Sequence, residues 1–395
     1  MRVKIKDIAK QIRGVSYKPI DVMNSLTKSS ITLLRANNIS DGFINFEEVA
    51  FINKQRVKGN QLLRKGDILI CTSSGSKALV GKAAYVDKDM SMTFGAFCKV
   101  VRPIKGNARY LGYFFDSPYY RYVISNASAG ANINNIKTDD IDNLEVEWPN
   151  IERQNEIAEI LDKITNVIAL RKRQIVELNQ LVKSRFLELF GNVGEIDKHK
   201  IHDSFVTKLG DVANVKSSHR VFTSEFVESG IPFYRGTEIG ELSNGQIPKH
   251  PFYITREHYE KLANDDSRPK IGDLLLPSIC NNGQIWLVDT DKPFYYKDGR
   301  VLCISPYPDV FNNIYLLYYL KYRLTYEYPK LGSGSTFAEF KIFQLKNMDV
   351  LVPNIMKQNL FANFIHQVDK SKMAVQKSLD ELETLKKSLM QTYFG

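Results

Sequence analysis

Cysteine is scarce in this chain: Cys71, Cys98, Cys280 and Cys303 are its only four, and none falls in a Cys-x-x-Cys pair. Scattered singly through apolar, strand-like runs, they argue against a disulfide framework or a zinc site and read as buried free thiols of a reducing compartment. Long apolar runs are missing as well. Nothing in the sequence approaches the ~20 residues needed to span a bilayer, and the opening Met1-Arg2-Val3-Lys4-Ile5-Lys6 has no apolar core of signal-peptide length. The expectation is a cytoplasmic protein with no membrane partner.

Signatures of catalysis are equally thin. There is no Gly-x-x-x-x-Gly-Lys-Ser/Thr phosphate loop; the nearest approach, Gly81-Lys82, is followed by Ala83. No Asn-Pro-Pro-aromatic or Asp-Pro-Pro-aromatic methyltransferase signature occurs, and no Gly-x-Gly-x-x-Gly follows a strand. His199, His202, His219, His250, His258 and His366 lack metal-ligand spacing, and the carboxylates form no nuclease-like cluster. ATP hydrolysis, methyl transfer and metal chemistry by this chain are therefore not expected. The composition that remains is that of an ordinary folded protein, 43% hydrophobic and 25% charged, long enough at 395 residues for two domains. A net charge of +10, from 54 Lys plus Arg against 44 Asp plus Glu, is compatible with an anionic partner without requiring one.

What the sequence does have is a duplication. Pro149-Asn150-Ile151-Glu152-Arg153-Gln154 recurs 204 residues on as Pro353-Asn354-Ile355-Met356-Lys357-Gln358, and Lys183-Ser184 with Phe190-Gly191 recurs as Lys387-Ser388 with Phe394-Gly395. Between these marks Ile157, Leu161, Ile164, Ile168, Arg171, Ile175, Leu178, Val182 and Arg185 step by four and three. The second copy places Phe361, Ile365, Val368, Lys372, Val375, Leu379, Leu382, Lys386 and Leu389 at the same rungs. That is a heptad seam, interrupted at different places in the two copies. With no Pro or Gly inside either run, each predicts one helix of roughly 40 residues and about 60 Å. Antiparallel pairing is the simplest way to bury both stripes, giving a rod that holds two heads apart.

The rest of each half matches as well. Ile5-Lys6-Asp7-Ile8-Ala9 corresponds to Leu209-Gly210-Asp211-Val212-Ala213, and Leu34-Arg35-Ala36-Asn37-Asn38-Ile39 to Tyr234-Arg235-Gly236-Thr237-Glu238-Ile239. Lys65-Gly66-Asp67-Ile68-Leu69-Ile70 corresponds to Ile271-Gly272-Asp273-Leu274-Leu275-Leu276, a turn before a buried strand. Small polar loops follow, Thr72 to Lys77 and Ser278 to Gln284, then tyrosine-rich segments around Tyr110–Tyr122 and Tyr315–Tyr322. Helical spacing favours a core role for those tyrosines over base stacking. A glycine-bearing polar loop closes each half, Ser128 to Lys137 and Gly332 to Lys341. The reading is an α+β chain: a domain over 1–148, a long helix over 149–191, a linker over 192–202, a second domain over 203–352 and a second long helix over 353–395.

With these features together, the chain resembles the specificity subunit of type I restriction-modification enzymes, over essentially its whole length. The resemblance implies two target-recognition domains, each reading one half of a bipartite DNA sequence, with the helices as spacers. It implies double-stranded DNA and two modification (methyltransferase) subunits as partners, with restriction or motor subunits where the host has them. The chain itself would be non-catalytic and bind no cofactor: S-adenosylmethionine belongs to the modification subunits, ATP and Mg to the restriction subunits. Base edges are matched by Arg, Asn, Gln and Ser/Thr, phosphates by Lys and Arg. On that basis the candidate DNA-binding residues are Arg35, Asn37, Asn38, Ser73, Ser74, Ser76, Lys77, Asn132, Asn134 and Asn135 in the first domain. In the second they are Arg235, Thr237, Asn281, Asn282, Gln284, Ser333, Ser335 and Thr336. Arg35 and Arg235 stand out because both halves keep them. The alternative is a non-catalytic two-headed scaffold or adaptor spacing two partner proteins, which should not show the steep salt-dependent binding to duplexes that phosphate contacts require. A third reading, a DNA-modifying enzyme acting alone, would need methyl transfer or cleavage by the purified chain.

Overall fold

The computed structural model describes residues 1–40, 42–127, 135–194, 203–280, 282–331 and 338–395. They form two compact units, one of Met1–Arg173 with Val375–Gly395, the other of Gln174–Ala374. The division passes through both long helices, which run Ile151–Phe190 and Ile355–Phe394.

In the first unit an antiparallel sheet has the strand order Ala9–Arg13, Cys98–Pro103, Ile68–Cys71, Ala83–Tyr85. Ile68–Cys71 lies inside that sheet with every side chain buried, so its text is continuously apolar rather than alternating. A second sheet orders Met92–Phe94, Ser30–Leu34, Ala50–Asn53 and Val22–Met23, its first pair parallel. The second unit repeats this plan: Ala213–Lys216, Val301–Pro306, Leu274–Pro277, Trp286–Leu287 in one sheet, and Phe252–Ile254, Ile231–Tyr234, Tyr295–Tyr296 in the other. Both turns before the inner strand need a left-handed residue, and Gly66 and Gly272 each sit at φ +92°. The Asp that follows is a structural clamp. Asp67 and Asp273 accept the backbone N–H of Arg64 and Lys270 at 2.8 and 2.9 Å.

The tyrosine-rich segments are core helices, Ala108–Asp116 with Pro118–Ala127 in one unit and Asn313–Glu327 in the other. Tyr110 donates its hydroxyl to the Glu147 carbonyl at 2.7 Å, and Tyr315 donates to the Leu351 carbonyl at 3.0 Å. All four thiols are free and buried. Burial pushes the Cys71 thiol up to about 11 and the Cys280 thiol to about 12, so neither is a thiolate at neutral pH.

The duplicated Pro-Asn-Ile-x-x-Gln text has a physical job. Gln154 donates to the Pro149 carbonyl at 2.9 Å while its own carbonyl oxygen accepts the backbone N–H of Asn107 at 2.9 Å. Gln358 donates to the carbonyls of Pro353 and Val310 at 2.8 and 3.0 Å and accepts the N–H of Asn312 at 2.9 Å. Asn107 and Asn312 in turn cap the tyrosine helices, their side-chain oxygens accepting from Arg109 and Tyr110 or from Ile314 and Tyr315. One glutamine thus ties the start of a long helix to the cap of a core helix.

Within the first unit the long helices run antiparallel. Arg153 stacks over the Tyr393 ring at 5.8 Å, and further along, Lys172 pairs with Glu383, earlier in the other helix, at 2.8 Å. Ile157, Ala158 and Leu161 share that unit's core with Met390 and Phe394. In the second unit Val182 and Phe186 share a core with Phe361, Ile365 and Val368. The ends of the seam differ from the heptad reading. Phe186 and Met390 are buried, whereas Arg185 and Leu389 are only half-buried. A straight α-helix drifts relative to a 3.5-residue repeat, and here the buried stripe shifts by one position at both ends to meet the tyrosine helices.

Candidate nucleic-acid interface

Four segments of the first unit converge on one open cleft of about 950 Å³. The turn after Ser30–Leu34 brings Arg35 and Asn37; the segment after Ile68–Cys71 brings Ser73 and Ser74; the turn before Cys98 brings Phe97; and the segment after Ala9–Arg13 brings Ser16 and Tyr17. A second cleft, about 560 Å³, shares Ser16 and Ala96 with it and adds Arg13, Lys99, Asn135 and Lys137. Ser73 and Asn135 pair across the border as an isolated antiparallel bridge. Burial, with Arg13 adding to it, lowers the Lys99 ammonium below its ordinary value, and its Nζ donates to Thr138 Oγ1 at 3.1 Å. The surface combines exposed cations, hydroxyls and amides around one bare ring: Phe97 is 69% exposed.

Of the residues expected from sequence, Arg35, Asn37, Ser73, Ser74 and Asn135 come together here. Ser76 and Lys77 are exposed on the next turn and do not line either cleft. Asn132 and Asn134 lie outside the described residues. Asn38 requires a correction. It is fully buried, accepts the backbone N–H of Arg35 at 2.9 Å and donates to the carbonyls of Asn45 and Glu47 at 3.0 and 2.8 Å. Its amide is committed to holding the turn and has no edge to offer a base.

The second unit builds the same frame. Ser278 N–H donates to the Arg300 carbonyl as Thr72 N–H donates to Phe97, and Phe340 N–H donates to Ser278 as Ile136 N–H donates to Thr72. Arg235 N–H donates to Glu238, which replaces Asn38 as the turn clamp, at 2.8 Å. The Arg235 guanidinium also grips Glu238 at 2.7 and 3.1 Å and lies 4.5 Å over Phe252. Burial alone would raise the Glu238 carboxyl, yet the Arg235 side chain and backbone donors outweigh it and hold it lower. The arginine kept by both halves therefore marks a shared turn, with Arg35 reaching the Glu48 carbonyl at 2.9 Å instead. Thr237 and Asn282 are exposed; Gln284 is half-buried with its side-chain oxygen unpartnered among the described residues. Asn281, Ser333, Ser335 and Thr336 lie outside the described residues.

Sequence reasoning passed over Arg13, Lys99, Phe97, Lys297, Arg300 and Glu339, the last three set on this frame in the second unit. The available signal was position: Phe97 and Arg300 each stand directly before a buried strand, Cys98–Pro103 or Val301–Pro306.

The close approach of Gly14 to Gly95 shapes the first cleft's floor. A Cβ on Gly14 would lie 2.1 Å from the Gly95 carbonyl oxygen. Gly14→Ala is expected to part these two segments at a cost of roughly 1–3 kcal/mol, read as a lowered urea midpoint for the first unit.

The family model for the type I restriction modification DNA specificity domain matches twice, at residues 3–180 and 202–384. The chain belongs to that family. Curated relatives of this specificity family include the StySPI specificity subunit of Salmonella potsdam, 37% identical over 180 residues. That match takes in 45% of this chain and 39% of the relative, so it spans well under half of the relative's length. The putative MjaX specificity subunit of Methanocaldococcus jannaschii is 25% identical over 98% of this chain and 91% of its own. Among solved structures, the S subunit of a type I restriction-modification system from M. genitalium aligns with TM-score 0.57 at 15% identity, covering 100% of this chain and 96% of that one. A chain from a structure concerning complex assembly and conformational transition of the type I R-M system aligns with TM-score 0.59 at 18% identity, covering 100% and 97%. At these identities the structural likeness speaks for the fold of the specificity family alone.

Proposed function

We propose that the chain is the sequence-reading subunit of a type I restriction-modification complex. Each unit reads one half of a bipartite double-stranded DNA target, and the chain positions partner methyltransferase and restriction subunits without catalysing a reaction itself. The observation that carries this is the cleft of the first unit, where Arg13, Arg35, Asn37, Asn135 and Lys137 surround Ser73 and Ser74 on a backbone frame that the second unit repeats. Such a surface supplies guanidinium, amide and hydroxyl groups for base edges and cations for phosphates. S-adenosylmethionine belongs in this reading to two modification subunits, and ATP with Mg to restriction subunits. Exposed apolar side chains on the long helices support a docking role for them: Val167 and Leu170 in the first unit, Val176, Leu181 and Met373 in the second. No helix among the described residues is long and apolar enough to cross a membrane, and the complex is proposed to act in the cytoplasm, where DNA is at hand.

The test is methylation mapping of genomic DNA from cells with and without this gene, with the modification subunits expressed. Loss of N6-methyladenine at one split motif is the expected result; identical methylomes would sink the reading. The assembled complex should also lose on the order of 10³-fold in duplex affinity between 50 and 200 mM salt. A shallow salt dependence would favour the scaffold.

A further inference from the structure

Because the two units share a backbone frame, side chains that differ at matched places show where their readings diverge. Phe97 and Arg300 occupy one such place, since the carbonyl of each accepts the N–H of Thr72 or Ser278 at 2.9 Å. Asn135 and Glu339 occupy a second, each directly before the residue, Ile136 or Phe340, that donates to Thr72 or Ser278 at 2.8 Å. The flanking Lys137 and Lys341 are alike, both standing at the N-cap of a short helix, Thr138–Asp142 or Ile342–Lys346. Framework and flanking charge are thus constant while the side chains on either side of Thr72 or Ser278 change chemistry. In the first unit they are an exposed ring and an exposed amide. In the second they are an ion pair: Arg300 Nη1 bonds Glu339, which Lys341 also holds at 2.9 Å, and the arginine side chain stays 59% exposed.

Of the guanidinium nitrogens Nη1 bonds Glu339, and among the described residues Nε and Nη2 make no hydrogen bond. An arginine held in this way meets a guanine's O6 and N7 without first losing its rotamer freedom. Phe97 has no donor or acceptor on its ring, and what it can favour in a groove is a thymine methyl; Asn135, across Thr72 and Ser73 from it, suits adenine N6 and N7.

Resting on the reading of the chain as a DNA specificity subunit, we propose that these two matched positions set the difference between the half-sites. Arg300, oriented by Glu339, specifies a guanine in the half read by the second unit, and Phe97 with Asn135 specifies an A·T pair in the half read by the first.

The experiment maps methylation by the complex of the full chain with its modification subunits, for wild type, Arg300→Ala, Arg300→Gln and Phe97→Ala. Arg300→Ala should relax one guanine in one half-site, lowering its preference roughly 5- to 150-fold, with the other half-site unchanged. Arg300→Gln should turn that guanine to adenine, a new preference that a misfolded unit could not produce. Phe97→Ala should relax an A·T position in the opposite half only. A split motif in wild type that keeps the same guanine in both Arg300 variants overturns the proposal while leaving the general reading intact. Absence of any split motif in wild type overturns both.

Discussion

Gln358→Leu is expected to destabilise the second unit by on the order of 3 kcal/mol, while Gln154→Leu should cost the first unit less. The leucine fills similar space but leaves three groups without their partners: the Asn312 N–H and the carbonyls of Pro353 and Val310. Leaving a buried polar group unsatisfied costs about 1–3 kcal/mol. Gln358 is 0% exposed, so water offers little rescue. Among the described residues Gln154 makes only two of these three contacts, which sets the order of the effects. The chain provides its own reporters, since Trp148 lies in the first unit and Trp286 in the second. Urea unfolding followed by fluorescence, with one tryptophan at a time replaced by Phe, assigns each midpoint to its unit. Equal midpoint shifts for the two variants, or none for Gln358→Leu, would show that the glutamine is not the fastening it looks to be.

That clamp also shows where sequence reading reaches and where it stops. The repeat, both long helices, the Gly-Asp turns and the core role of the tyrosines follow from spacing and residue type, because local geometry dictates them. The Pro-Asn-Ile-x-x-Gln text stands out by its recurrence, yet its purpose depends on Asn107 and Asn312, which lie 47 and 46 residues earlier than the glutamine. No local pattern reports a hydrogen bond across that distance. The candidate site divides along the same line. Arg35, Asn37, Ser73 and Ser74 were legible as polar loop residues after apolar strands. Asn38 looks no different from Asn37 in sequence, and only the turn at Ala36–Asn38 decides that one amide faces the core and its neighbour faces the cleft. Phe97 and Arg300 were hidden because an aromatic or basic residue at a strand end ordinarily reads as packing or solubility. Their equivalence emerges from hydrogen-bond register, across sheet-to-sheet connections that differ by one residue: Gly95-Ala96-Phe97 against Lys297-Asp298-Gly299-Arg300.

The same register exposes an asymmetry in the core, and with it the other large expected effect. Asp67 is 1% exposed and receives Arg102 through Nε and Nη2, both at 2.7 Å, besides the Arg64 N–H. Arg102 also donates to the Leu62 carbonyl at 3.0 Å, anchoring the segment before the turn. In the second unit the place of Arg102 is held by Ser305, since Val101 pairs with Ile68 as Ile304 pairs with Leu274. Among the described residues Asp273 accepts only the Lys270 N–H and, at 3.5 Å, the Cys303 thiol. Arg102→Leu should therefore cost the first unit about 3–5 kcal/mol, because a buried carboxylate is stranded without its counter-charge. Adding Asp67→Asn should recover a large part of that loss, as a neutral amide needs no cation. The fluorescence of Trp148 follows both variants. A double variant no more stable than Arg102→Leu alone would mean that the arginine acts through its contact with Leu62 and its own packing, and that the stranded charge is tolerated in the first unit as it is at Asp273 in the second.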